Sequence, residues 1–172
     1  MAYIEGLEGF DIKIATKDDS SEVIKMLKRI AQWMKDNEIN QWRFLLEGGD
    51  DEEIEQAISN HETYIVLKDN DIVATFTLLS EQSEWDRDIW GEDNSSKTLY
   101  LHRLAILPAY MKKGLGKSIL AWIQNNASDK EYLRLDCVAE NIKLNNFYMN
   151  NGFELVDLTD GHSKYQKSLK RN

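Results

Sequence analysis

The stretch Leu101-His102-Arg103-Leu104-Ala105-Ile106-Leu107-Pro108-Ala109-Tyr110-Met111-Lys112-Lys113-Gly114-Leu115-Gly116-Lys117-Ser118 has the residue types of an anion site. An extended apolar run stops at a proline, passes through a glycine-bearing turn and opens a helical pattern. The first N–H groups of a helix have no carbonyl within the helix to bond, and their partial positive charge suits phosphate. Gly114 and Gly116 let a bulky anion come close to the backbone. Lys112, Lys113 and Lys117 add positive charge to a chain that is otherwise acidic. These features predict a pyrophosphate site. One reading is a P-loop, Gly-x-x-x-x-Gly-Lys-Ser/Thr, whose end matches Gly116-Lys117-Ser118. Its first glycine falls on Met111, however, and Pro108-Ala109-Tyr110 separates the strand from the turn, so that match fails.

A second constellation lies further on, at Asn141-Ile142-Lys143-Leu144-Asn145-Asn146-Phe147-Tyr148-Met149-Asn150-Asn151-Gly152-Phe153. Taken singly, its members have structural readings. Asn141 is a helix N-cap, Gly152 a left-handed C-terminal cap, Phe147 and Phe153 are core, and Tyr148 is a packing residue. Cys137 is the one cysteine. It excludes an internal disulfide and reads as a small buried thiol rather than as an acyl-enzyme nucleophile. No His/Cys cluster has metal-ligand spacing, so no metal is expected.

The elements that position these groups follow from hydrophobic period. Ile12-Lys13-Ile14 alternates like a strand. Asp18, Asp19, Ser20 and Ser21 supply capping chemistry for a helix carrying Val23, Leu27, Ile30 and Met34, which runs to about Asn37. Gly48-Gly49-Asp50-Asp51 opens a second helix, about Glu52 to Asn60. Thr63 to Leu67 and Ile72 to Leu79 read as a hairpin around Asp69-Asn70-Asp71. Ser80 to Ser96 reads as a long polar loop containing Trp85 and Trp90. Thr98 to Leu107 is the longest strand, Gly114 to about Ala127 a helix, Tyr132 to Val138 a strand, Asn141 to Asn151 a short helix and Phe153 to Leu158 a strand, with a last one at Tyr165 to Leu169. This order predicts an α/β domain with a mixed sheet.

Composition bounds the rest. A chain of 172 residues with no visible linker or repeat is read as a single domain, 1–172. The net charge of −9 argues against nucleic acid, which needs clustered Lys and Arg. No apolar run approaches the roughly 20 residues of a membrane span. The opening Met1-Ala2-Tyr3-Ile4-Glu5 lacks the pattern of a signal peptide, which makes a cytoplasmic location the default expectation.

Together the two constellations resemble the GNAT N-acetyltransferase superfamily over most of the chain. That family carries Arg/Gln-x-x-Gly-x-Gly/Ala after a strand ending near a proline. Here Pro108 and Gly114-Leu115-Gly116 fit, while Met111 replaces the Arg/Gln. The family's Asn-x-x-Ala-x-x-Leu-Tyr-x-x-x-Gly-Phe matches at Asn141, Tyr148, Gly152 and Phe153, with Leu144 and Phe147 as departures. The opening Ile12-Lys13-Ile14-Ala15-Thr16-x-x-Asp looks like its first strand entering its first helix.

The resemblance implies a GNAT-like, mostly antiparallel central sheet flanked by helices, and transfer of acetyl from acetyl-CoA directly to an amine. Residues Met111 to Ser118 would hold the diphosphate, and the strand at Leu104-Ala105-Ile106 would pair with the pantetheine arm. Asn141 and Asn145 would join in binding the cosubstrate, and Tyr148 would be the general acid to the sulfur. An alkyl amine has a pKa of about 10 and needs a base. His102, an imidazole with an ordinary pKa of about 6.5, is the first candidate, with Glu81, Glu84 and Asp86 as rivals. His102 would share a strand face with Tyr100 and Leu104 if no bulge intervenes. Trp33 and Trp42, in an aromatic segment that ends at Phe44, and Trp85 and Trp90 would line an acceptor pocket for an ammonium compound. The resemblance implies a small amine, polyamine, aminoglycoside or amino-acid derivative, with a peptide amine also open, and a monomer or homodimer. The alternative is a noncatalytic acyl-CoA sensor on the same fold.

Overall fold

The computed structural model describes residues 2–3, 9–39, 41–127 and 129–170, apart from the side chains of Ala2, Tyr3, Arg43 and Phe44. In chain order the elements are β1 (Ala2–Tyr3), β2 (Phe10–Ile14), α1 (Ser20–Asp36), α2 (Asp51–Ser59), β3 (Thr63–Lys68), β4 (Asp71–Leu79), α3 (Glu84–Trp90), β5 (Thr98–Ile106), α4 (Leu115–Asn126), β6 (Tyr132–Val138), α5 (Ile142–Asn150), β7 (Glu154–Thr159) and β8 (His162–Ser168). The fold is α/β with a mixed sheet, as the element order predicts, and the sheet is mostly antiparallel with flanking helices, as the resemblance implies. Among the described residues no helix is long and apolar enough to cross a membrane.

The chain forms two compact units, Met1–Thr77 with Arg103–Trp122, and Leu78–His102 with Ile123–Asn172. In the first, β1, β2, β3 and β4 form an antiparallel ladder in sequence order. Val23, Met26, Leu27, Ile30 and Ala31 recur at helical spacing on α1 and are all buried. With Ile54 and Ile58 of α2, Ile65 of β3 and Ala105 of β5 they make the apolar core of this unit. The β3–β4 turn places both Asp69 and Asn70 at positive φ, 51° and 69°. That is the primed turn whose twist suits a hairpin, and Asp and Asn are among the side chains that tolerate it. At the far end of the ladder the hydroxyls of Thr63 and Thr77 lie 2.9 Å apart, so neither is buried without a partner.

In the second unit β5 pairs with β6 in parallel, β6 with β8 antiparallel, and β8 with β7 antiparallel. Strand β6 alternates as expected: Leu133, Leu135 and Cys137 are buried, while the residues between them are less so. The β5–β6 ladder covers only Thr98↔Tyr132, Leu99↔Leu133 and Tyr100↔Arg134. From Leu135 to Val138, β6 pairs with β8 alone.

Three elements depart from expectation. The segment Ser80–Ser96, read as a loop, contains the helix α3. A capping box builds it: Ser83 Oγ accepts from the Asp86 N–H, and Asp86 Oδ2 accepts from the Ser83 N–H. The polar residues that suggested a loop are the ones that start the helix. Secondly, a short strand β1 precedes the predicted first strand. Thirdly, Arg103 sits at φ 52° inside β5, which breaks the two-residue alternation there. The face shared by Tyr100, His102 and Leu104 therefore does not extend past His102.

Candidate active site

The glycine turn belongs to the first unit. A single 3-10 turn, Pro108–Tyr110, ends the strand, with Pro at its first position. Gly114 then takes φ 77°, where an added side chain would be strained although the space beside it is open. Helix α4 follows directly. The amides of Leu115, Gly116 and Lys117 precede its first i−4 acceptor, because the first such bond runs from the Ser118 N–H to the Gly114 carbonyl at 3.1 Å. Lys112, Lys113 and Lys117 are exposed around this turn and Gly116 is buried. Met111 is half-buried, and the Lys113 ammonium lies over the Tyr110 ring at 5.2 Å. Unbonded amides, an open glycine and exposed ammonium groups together fit a diphosphate. Leu104, Ala105 and Ile106 belong to the same unit, and Ala105 is part of its core.

The second unit holds the Asn141–Phe153 constellation. Asn141 caps α5, its side-chain oxygen accepting from the Leu144 N–H at 3.2 Å. Asn145 is buried, and its amide donates to the carbonyls of Val138, Ala139 and Asn141. Its oxygen accepts from the Tyr165 hydroxyl at 2.6 Å. The internal bonds of Asn145 thus tie the β6–α5 turn to β8.

Tyr148 is 5% exposed and packs against Phe147, Phe153 and Tyr165. No described residue hydrogen-bonds its hydroxyl, which is not among the fully buried polar atoms left without a partner. Burial, then the neighbouring Cys137 and Asp136, push its pKa well above that of an exposed phenol. It stays a proton donor throughout the neutral range. Burial, with Asp136 second, pushes the Cys137 thiol up to about 12. A thiol so far from ionisation is no nucleophile at neutral pH, in keeping with the small-core reading.

His102 ends the second unit's part of β5, with its side chain 16% exposed. Its Nε2 is 3.0 Å from both carboxylate oxygens of Asp86, which α3 buries almost completely. Of the rival bases, Asp86 is therefore the partner of His102.

The four tryptophans expected at an acceptor pocket have different surroundings. Trp42 packs against the core of the first unit, and Trp33 is half-buried on α1. The side chain of Phe44, in the same aromatic segment, lies outside the described residues. In the second unit Trp90 is flanked by cations of its own chain, the Arg134 guanidinium at 4.6 Å and the Lys164 ammonium at 5.2 Å. Trp85 is 41% exposed and its indole N–H is 3.1 Å from both oxygens of Asp136. Edge-on to Trp85 lies His162, whose Nδ1 is 3.1 Å from Asp136 Oδ1 but off the line a hydrogen bond needs. Sequence reading missed this Trp85–Asp136–His162 cluster. The available signal was Asp136, a carboxylate inside the alternating strand Tyr132–Val138.

Comparison with known proteins bears on the family and the fold. The model of the acetyltransferase (GNAT) family matches residues 25–153. The chain is 34% identical, over 94% of its length and 92% of the relative's, to YesJ, an uncharacterized N-acetyltransferase of Bacillus subtilis. A GNAT-family acetyltransferase of Listeria monocytogenes has a similar crystal structure, with a TM-score of 0.79 at 27% identity, covering 92% of this chain and 94% of that one. The PaiA N-acetyltransferase of Thermoplasma acidophilum, solved with coenzyme A, shares the fold at a TM-score of 0.73 and 18% identity, over 92% and 98% of the two chains.

Proposed function

The chain belongs to the GNAT acetyltransferase family, and from that premise we propose that it transfers acetyl from acetyl-CoA directly to a primary amine of a small molecule or peptide, with Tyr148 as general acid. The observation that carries this reading is Tyr148: its ring is buried, its phenol is held protonated, and its hydroxyl is bonded by no described residue. That leaves its proton uncommitted and available to the departing sulfur.

Acetyl-CoA supplies a carbonyl activated by a thiolate leaving group. The chain supplies the rest. The amides of Leu115, Gly116 and Lys117, with the exposed lysines around Gly114, bind the diphosphate, and Met111 contributes backbone there rather than a polar side chain. An N–H of Leu104, Ala105 or Ile106 stabilises negative charge on the thioester oxygen. Asn141 bonds the pantetheine arm, while Asn145 acts beneath it by fixing the turn. His102 takes the proton of the attacking ammonium, which at neutral pH would otherwise stay charged and unreactive. Trp85 is the aromatic side chain best suited to an acceptor, being exposed beside a carboxylate.

The test is a panel of primary amines with acetyl-CoA, monitored by thiol release. Turnover with some members, and its loss in His102→Ala with coenzyme A binding retained, is the expected result. Tight coenzyme A binding with no turnover on any small amine or peptide would instead favour the noncatalytic sensor.

A further inference from the structure

Asp86 does more than cap a helix. Its carboxylate is 1% exposed and accepts from the Ser83 N–H at 3.0 Å, and both of its oxygens lie 3.0 Å from His102 Nε2. A carboxylate in this position can only accept, so the imidazole proton must sit on Nε2. The lone pair of the neutral ring is then on Nδ1, which no described residue hydrogen-bonds.

We propose that Asp86 is a positioning residue that fixes the tautomer and ring orientation of His102, leaving Nδ1 as the bare basic atom. Three observations carry it. His102 Nε2 makes a hydrogen bond with Asp86 Oδ2 at 3.0 Å, with Oδ1 equally close, which ties the ring to a fixed acceptor. The carboxylate is itself held by the first turn of α3, which is tied to its surroundings at two further points. Trp85 Nε1 bonds Asp136 at 3.1 Å, and Lys164 Nζ bonds the Ile89 carbonyl at 2.9 Å. Finally, Asp86 faces no lysine or arginine within salt-bridge distance among the described residues, which leaves the N–H groups of Ser83 and His102 as the donors that satisfy its buried oxygens. Helix α3 thereby becomes the element that orients the base. The inference rests on reading His102 as the base that accepts the substrate proton.

The decisive variant is Asp86→Ala, because in Asp86→Asn an amide oxygen at the Oδ2 position would keep both the Ser83 N–H bond and the Nε2–H bond. Without the carboxylate nothing holds the ring proton on Nε2. The first measurement is 15N NMR of the wild-type protein labelled at histidine. We expect His102 to show a protonated Nε2 and a bare Nδ1, and the reverse pattern overturns the proposal without any variant. In Asp86→Ala both tautomers should appear, and kcat should fall about tenfold with KM for acetyl-CoA unchanged, a part of what a general base contributes. Ser83→Ala, which removes the cap but leaves the Asp86–His102 contact, should keep its rate. An Asp86→Ala rate no lower than that of Ser83→Ala, with the tautomer unmoved, overturns the proposal. A shifted tautomer with an unchanged rate upholds Asp86 as the group that fixes the ring, and removes His102 as the base.

Discussion

At the scale of single residues, Tyr148 separates catalysis from stability. Most buried tyrosines bond their hydroxyl, as Tyr165 does with Asn145 in the same unit. No described residue bonds that of Tyr148, so removing its oxygen breaks no bond among the described residues. Tyr148→Phe should therefore lower kcat about tenfold to a hundredfold, at or below the lower end of the range for an acid catalyst because a thiolate leaves readily. Coenzyme A affinity should be unchanged by calorimetry. The melting temperature should change little, since the hydroxyl is bonded by no described residue. A fall in stability that matches the fall in rate would make Tyr148 a packing residue and nothing else. Asn145 is the converse case. Its side chain is fully engaged by the chain, which makes it a brace for the turn before α5.

The turn before α4 can be tested at the scale of one element. A carboxylate in the first turn of a helix is favourable to the helix, by about 0.3–1 kcal/mol, and unfavourable to a bound anion. Lys117 is exposed in that turn, so Lys117→Glu leaves packing alone. We expect coenzyme A binding to weaken at least about tenfold, or about 1.4 kcal/mol, with less difference at high salt and no loss of thermal stability. An unchanged dissociation constant would move the diphosphate elsewhere. Helix α3 carries the other element-scale lesson. Its seven residues are too few to show a helical period, and Ser83 and Asp86 read equally well as loop residues until their reciprocal bonds are seen.

At the scale of the whole molecule, burial of groups that ionise at high pH sets an alkaline limit. Tyr148 and Cys137 both have raised pKa values, with burial as the first cause. The unfolded chain loses these protons near pH 8.5 to 10, at roughly the ordinary values, while the folded chain holds them. Above that range the folded state binds more protons than the unfolded state, so stability falls as pH rises. Urea midpoints should drop between about pH 9 and 11, and drop less steeply in Tyr148→Phe. A midpoint flat across that range would mean that the two groups are not buried as described.

The sequence by itself determined the family, the order of elements and the two signatures, because these depend on local spacing. A proline and glycines before a helix, an asparagine cap and a tyrosine on the next short helix are all read within a dozen residues of chain. Only the tertiary structure decided which polar groups are committed and which are free. The pairing of Asp86 with His102, the embrace of Trp90 by Arg134 and Lys164 and the contact of Trp85 with Asp136 join residues far apart in sequence. The break at Arg103 was likewise invisible, since Leu101 to Ile106 reads as an unbroken strand and nothing in an arginine announces a positive φ. Hydrophobic period specifies which face is buried, but a hydrogen bond is specific to a distance and an angle, and those exist only once the chain has folded.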